Sequence, residues 1–372
     1  MFRKCSLLYF SALLAFLITA FVGCTSPFGN GATAQDTDAS ARAATPTVYT
    51  AGLCTDDPAG GACYWQGKKR VDLSGDSTSG IYISSGTVYT AGSYFNGSEP
   101  TPCYWKRNTR VDLPGASSLG GGHAYSIFVN GGLVYVAGYR YSYGYHACVW
   151  IDNNGNINLI DLTLPATNTS YANSIYVVGT TIYVAGGYEA TTPGGVKEIA
   201  YLWTSLGRVG SCRDLSTSYS RANSLVVSGG KAYIAGFNQP SSTMKACYWT
   251  WRGDSVGNTI SLSRTDLQGN NAEARAIFLS GGRVYTSGFV NGDNVSGTGT
   301  ACYWTNKTRT NLMSITSRAS SIFVYGGKVY TAGGYLNGNS DYKACYWTNK
   351  ARTDLPDFGT NTWSWGNGIW VN

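Results

Sequence analysis

Val329-Tyr330-Thr331-Ala332-Gly333, followed by Cys345-Tyr346-Trp347 and then Arg352-Thr353-Asp354-Leu355, is the stretch that decides the fold, because the chain repeats it. The Tyr returns at Tyr49, Tyr89, Tyr135, Tyr183, Tyr233, Tyr285 and Tyr330, at intervals between 40 and 52 residues. A Trp series keeps step: Trp65, Trp105, Trp150, Trp203, Trp249, Trp304 and Trp347. Repeats of this length, with room for four strands and no helical periodicity, mark β-propeller blades. The expected fold is all-β, a seven-bladed propeller of four-stranded blades over residues 47–372. The first copy opens at Val48 without the Ile-aromatic-Val segment that starts the others, and Gly368-Ile369-Trp370-Val371 supplies it at the other end. Residues 369–371 are therefore expected to join the first blade and close the ring.

Composition agrees. The chain has 372 residues, of which 48 are Gly and 28 are Tyr, and only 13% are charged. Glycine with Tyr, Val, Thr and Trp suits short strands and tight turns. The formal charge of +7 is diffuse, with no basic run longer than Lys68-Lys69-Arg70. That gives no support to nucleic-acid binding, which needs a basic stripe or patch.

The N-terminus reads as a targeting segment. Arg3 and Lys4 precede an apolar run from Leu7 to Val22, and Gly23-Cys24 follows. Residues 1–23 resemble a bacterial lipoprotein signal peptide. The resemblance implies export, lipidation of Cys24, and a cell-envelope location at the outer membrane or cell surface, with the membrane as a partner through the anchor. Residues 24–46, rich in Ala, Thr, Ser, Gly and Asp, read as a flexible tether.

Six cysteines share one repeat position, two before the Trp: Cys63, Cys103, Cys148, Cys247, Cys302 and Cys345. Equivalent positions in neighbouring blades lie too far apart for disulfides, so these read as small buried hydrophobes. Cys54 and Cys63 flank one loop, and a bridge between them is left open.

Each copy divides into strand a (Ser321-Ile-Phe-Val324), b (Lys328 to Ala332), c (Ala344 to Thr348) and d (Arg352 to Leu355). Gly131-Gly132, Gly229-Gly230, Gly281-Gly282 and Gly326-Gly327 fit two-residue a–b hairpins with positive φ. The phrase Gly326-Gly-Lys-Val-Tyr-Thr-Ala-Gly-Gly334 resembles part of the Kelch repeat. The whole unit, Val-Tyr-x-Ala-Gly, Cys-Tyr-Trp, Arg-x-Asp-Leu, is similar to repeat lipoproteins of host-associated, spirochaete-like bacteria. That resemblance implies a propeller in the envelope and carries no activity or site residue.

Motifs recurring once per blade, the Trp and Asp-Leu series, are packing elements. Arg70, Arg110, Arg264, Arg309 and Arg352 stand two residues before Asp (Asn311 in one copy), on the same strand face, and read as structural ion pairs. Catalytic signatures are thin. His123 and His146 come from different loops, Gly75-Asp-Ser77 does not continue as a nucleophile elbow, and Asp152-Asn-Asn-Gly155 lacks the rest of a calcium loop. No cofactor or metal is called for, and no catalytic residue is assigned. Arg252-Gly253-Asp254 reads as a turn in the c–d loop.

The b–c and d–a loops, which leave a propeller on one face, vary in length and content. Aromatics gather there: Tyr139, Tyr141, Tyr143 and Tyr145 with Arg140 and His146, then Phe358, Trp363 and Trp365. Such side chains give rigid contact area for sugars or proteins. The expectation is a monomeric, lipid-anchored binding module for a host or envelope protein or a glycan, with these residues as the ligand-binding candidates. The alternative is a glycan-active hydrolase or lyase with acids lining the channel. Convergent, unpaired acids at the channel mouth would favour the enzyme, and an aromatic face without them would favour binding.

Overall fold

The computed structural model describes residues 45–55, 61–115, 120–162, 164, 169–192, 195–205, 211–254, 258–292, 299–338, 341–357 and 363–372. The signal segment, the Cys24 anchor, most of the tether and Phe358 lie outside the described residues. The described strands form seven antiparallel sheets of four, and among the described residues there is no helix. This is the seven-bladed propeller, one sheet per repeat.

The ring closes as the offset repeat requires. The last strand, Ser364–Val371, pairs with Val48–Cys54, with Val48 opposite Val371 and Cys54 opposite Ser364. It is longer than residues 369–371, because backbone pairing continues past the point where the repeat's side-chain pattern stops. We number the blades from this one: its strand a is Ser364–Val371, and those of blades 2 to 7 are Ser77–Ser84, Gly122–Asn130, Ser170–Val178, Tyr219–Ser228, Glu273–Ser280 and Ser317–Tyr325.

The repeat residues have packing roles. All seven Trp side chains are buried, at 0–1% exposure. Three of their indoles reach across a blade boundary: Trp65 donates to the Pro356 carbonyl (3.0 Å), Trp150 to Pro114 (2.8 Å) and Trp304 to Gln268 (2.8 Å). Each acceptor follows the Asp-Leu of the preceding blade, so the two motifs meet at the seam. Truncating such a Trp would cost about 3–5 kcal/mol. Arg110, Arg264 and Arg352 pair with the Asp two residues on, at 2.7–2.8 Å, as does Arg70. The six repeat cysteines are buried thiols, and Cys54 and Cys63 are free thiols, with Cys63 Sγ donating to Cys54 Sγ at 3.9 Å. The four Gly-Gly turns have positive φ at both positions.

One repeat residue shapes the centre of the molecule. Every strand a carries a register shift against strand b, and each shift skips a single residue: Asn367, Ser79, Tyr125, Asn173, Asn223, Arg275 and Ser320 for blades 1 to 7. At each bulge the strand-a carbonyl presses on the Gly of the Ala-Gly pair, or of Ser287-Gly288 in blade 6. A Cβ on Gly138, Gly236 or Gly288 would stand 1.9–2.0 Å from the carbonyl oxygen of His123, Arg221 or Glu273. Gly is kept there because the bulge leaves no space for a side chain.

Candidate functional site

The skipped residues meet at the channel. A bulge leaves its residue outside the ladder and re-aims its side chain; here all seven line a central cavity of about 370 Å³. They form a polar collar. Three residues further along the same strands, Tyr82, Phe128, Tyr176, Val226, Phe278, Phe323 and Trp370 form an apolar girdle. Its rings touch in series: Tyr176 to Phe128 (4.8 Å between centroids), Phe128 to Tyr82 (4.9 Å), Tyr82 to Trp370 (4.7 Å), Trp370 to Phe323 (5.1 Å) and Phe323 to Phe278 (4.6 Å). Val226 supplies the one step without a ring.

Most collar residues also latch a blade to the next. Asn173 donates Nδ2 to the Ala222 carbonyl (2.9 Å), Asn223 to the Ala274 carbonyl (2.9 Å) and to Glu273 Oε1 (2.8 Å), and Asn367 to the Thr78 carbonyl (2.8 Å). Ser79 Oγ lies 2.8 Å from His123 Nε2, and Ser320 accepts from the Trp365 indole at 2.9 Å. Burial lowers the His123 pKa to about 4, so the imidazole is neutral at pH 7.

At the end of the channel nearer the b–c and d–a side, the first residues of the a strands carry charge. Arg221 grips Glu198 through Nη2 (2.7 Å) and Nε (3.0 Å). Burial alone would lower the Arg221 pKa, but the bonds to Glu198 and its charge more than offset this, and the net shift is upward. Glu273 is only 2% exposed and sits 3.4 Å from Arg275 Nε. Arg275 and Arg318 both face the Phe289 ring, with Cζ 5.6 and 4.5 Å from its centroid. The carboxylates here are engaged by arginine or asparagine.

The candidates read from the sequence separate into groups. Tyr139 and Arg140 lie on a paired strand, Leu133–Tyr141, and Tyr145 and His146 on its partner, Tyr145–Asn153. Only 142–144 is a turn, so these residues are held on strand ends rather than on a mobile loop. Tyr139, Tyr141 and Tyr145 sustain the ladder beyond the consensus. Arg140 makes a two-pronged pair with Asp161 (2.8 and 2.6 Å), and His146 bonds the Ser142 carbonyl (2.8 Å) across the turn. Both have structural partners. Tyr143, at positive φ, is 88% exposed.

The tyrosines come together. Tyr141 packs on Tyr145 (5.4 Å), Tyr145 on Tyr139 (5.1 Å) and Tyr171 (5.7 Å), Tyr139 on Tyr125 (5.7 Å), and Tyr125 on His123 (4.7 Å). This row of rings runs from the exposed edge of blade 3 into the collar. Burial raises the phenol pKa values of Tyr125, Tyr139 and Tyr171, the last to about 12, so all three are neutral donors. Trp363 and Trp365 form a second group with Tyr342 (5.5 and 5.2 Å) at the blade 7 to blade 1 seam, and Trp365 touches the collar through Ser320. On the other face, Asp254 and Asn258 close the Arg252-Gly253-Asp254 turn on each other, and Trp251 beside it is buried.

The collar itself was missed in the sequence. Its signal was present: one variable residue inside a fixed frame, as in His-Ala-Tyr125-Ser-Ile, Tyr-Ala-Asn173-Ser-Ile and Glu-Ala-Arg275-Ala-Ile.

No described protein family and no curated protein matches the chain. Among solved structures, a Bacteroides fragilis protein assigned as a 6-phosphogluconolactonase is 12% identical, with 89% of this chain and 99% of that one covered and a TM-score of 0.46. The Trypanosoma rangeli sialidase in complex with the inhibitor DANA is 10% identical, with 75% and 56% covered and a TM-score of 0.47. A Bombyx mori GH32 β-fructofuranosidase is 14% identical, with 62% and 61% covered and a TM-score of 0.36. At such identities and scores the likeness says nothing about activity, and the chain stands as a seven-bladed propeller with a polar collar above an aromatic girdle.

Proposed function

We propose that this chain is a lipid-anchored propeller of the cell envelope that binds a protein or glycan ligand on its b–c and d–a face. The observation that carries the reading is the row of tyrosine rings from Tyr141 and Tyr145 through Tyr139 to Tyr125 in the collar. Exposed, rigid aromatics that lead into a cavity offer stacking surface with hydroxyl tips for hydrogen bonds. Catalysis is less well supported. A glycosidase needs two carboxyl groups facing the scissile bond, whereas Glu198 is held by Arg221, and Glu273 is buried and held by Asn223. The anchor follows from the apolar run ending at Gly23-Cys24.

The test is a binding screen of the purified chain against glycans and extracellular-matrix proteins, with Tyr145→Ala and Trp363→Ala challenging any hit. Tyr145 and Trp363 are exposed, at 37% and 53%, so neither change should unfold the protein. A hit weakened about tenfold or more by Tyr145→Ala is the expected result. A hit indifferent to both changes would overturn the assignment of the face, and turnover of a polysaccharide would replace binding by catalysis.

A further inference from the structure

Blade 6 breaks the pattern of its neighbours inside the channel. In blades 3, 4, 5 and 7 the residue after the bulge is a Ser whose hydroxyl accepts from a backbone N–H of the next blade: Ser126 from Ile175 (3.2 Å), Ser174 from Leu225 (3.1 Å), Ser224 from Ile277 (3.4 Å) and Ser321 from Ile369 (3.2 Å). The bulge residue itself is Asn in blades 1, 4 and 5. Blade 6 has Arg275-Ala276 instead. Ala276 has no hydroxyl with which to latch blade 7, and the bulge places a guanidinium on the cavity wall. The repeat does not require this residue.

Among the described residues that line the cavity, Arg275 is the charged one. Its Nε is buried against Glu273, while 30% of the side chain is exposed. Its guanidinium carbon lies 5.6 Å from the Phe289 ring centroid, and the exposed part of the side chain lines the cavity. Around it, Asn173, Asn223 and Asn367 each commit Nδ2 to the next blade. The partner is a backbone carbonyl, which only accepts, so the bound atom must be nitrogen and each Oδ1 is left over as an acceptor. Acceptors of this kind bind hydroxyl groups. Below them the aromatic girdle offers flat apolar faces. The volume, about 370 Å³, is within the range of small-molecule sites.

One cation, several neutral acceptors and an aromatic floor describe the complement of an acidic sugar. We infer that the cavity receives a uronic acid residue of a glycan, with its carboxylate on the Arg275 fork, its hydroxyls on the asparagine Oδ1 atoms and its ring against the girdle. A phosphate dianion would call for further cations in the cavity, and neither Arg221, held by Glu198, nor Arg318, against the Phe289 ring, is among its lining residues. This inference rests on the reading that the b–c and d–a face binds a glycan, whose chain would run outward along the tyrosines.

The experiment is calorimetric titration of the full chain with a galacturonic acid trisaccharide, its methyl ester and a galactose trisaccharide. Arg275→Asn is the informative variant, because it gives blade 6 the residue that blades 1, 4 and 5 carry at the bulge; a thermal melt checks that it folds. The acid should bind about tenfold or more tightly than the ester, as expected when an ionic, forked hydrogen bond is lost, and Arg275→Asn should abolish that preference. Equal affinity for acid and ester, failure of the acid to bind, or a preference that survives Arg275→Asn would each overturn the inference. Loss of acid binding in Tyr145→Ala but not in Arg275→Asn would overturn it while leaving the face reading intact. The reverse pattern would keep the uronate site and overturn the face.

Discussion

Two rings of side chains, three residues apart on the same seven strands, have opposite characters. The collar holds Asn, Ser, Tyr and Arg, and no two adjacent blades match except blades 4 and 5. The girdle holds aromatic residues in six of seven blades. The difference comes from how each position is held. A collar residue is skipped by the ladder, so its identity is not fixed by strand pairing, and several collar residues latch the next blade instead. A girdle residue is paired with strand b, and in most blades its ring meets the ring of the next blade at a tilt, so bulk is fixed by packing. Variation is tolerated where the backbone releases the side chain and is suppressed where neighbours fill the space around it.

Among changes to the two rings, the largest effect should come from removing the bulge's support. In Gly236→Ala the new Cβ would stand 1.9 Å from the Arg221 carbonyl oxygen and 2.9 Å from the Trp249 ring. Backbone must move, and a loss of about 3 kcal/mol is expected in urea denaturation. A variant as stable as the wild type would mean that the bulge is not rigid and that collar and girdle are not held separately.

Next, Trp370→Ala opens the girdle at a half-buried ring that touches both Tyr82 and Phe323. It should cost about 2–3 kcal/mol, at or below the low end for aromatic truncation because the ring is partly exposed. An unchanged melting temperature would show that the girdle is not a packing element.

A comparable effect concerns pH. The His123 pKa is about 4 in the folded chain, against 6.5 for an unperturbed imidazole, because burial opposes the charge. Between these values the unfolded chain binds the additional proton, so stability from this site is full above 6.5 and is lost as pH falls toward 4. His123→Gln should lose less stability than wild type between pH 7 and pH 4.5 in urea melts. Parallel losses would remove His123 from the account of acid sensitivity.

Asn173→Ala should have the smallest effect on stability, about 1 kcal/mol for one inter-blade hydrogen bond. Its effect on binding should exceed that of Trp370→Ala relative to the stability each loses. The opposite ranking would assign ligand contact to the girdle and latching to the collar.

The repeat makes the architecture legible in the side-chain pattern alone. Seven copies of the Tyr and Trp series fixed the blade number, and the missing opening segment before Val48 pointed to closure by Ile369 to Val371. The outer tyrosines were legible as a cluster because they break the consensus. Arg140 and His146 were grouped with them by proximity alone, and tertiary structure gave them Asp161 and the Ser142 carbonyl as partners. Tyr125 and Tyr171, which complete the row of rings, come from other strands and could not be joined to it from spacing. The extension of the strands past the repeat was also hidden, since ladder hydrogen bonds are made by backbone and leave little trace in side-chain pattern.

By itself the sequence determined what is periodic: strand count, turns with two glycines, buried Trp and Asp-Leu seams, and the order of ring closure. These depend on local propensity and burial pattern, which one chain segment carries alone. Only the tertiary structure decided that the variable residue of every strand a is a bulge, that seven bulges meet in one cavity, and that Arg275 is the charge among them. That result needs seven segments separated by tens of residues to converge on one axis, and the glycine that permits each bulge lies on a different strand from the side chain it redirects.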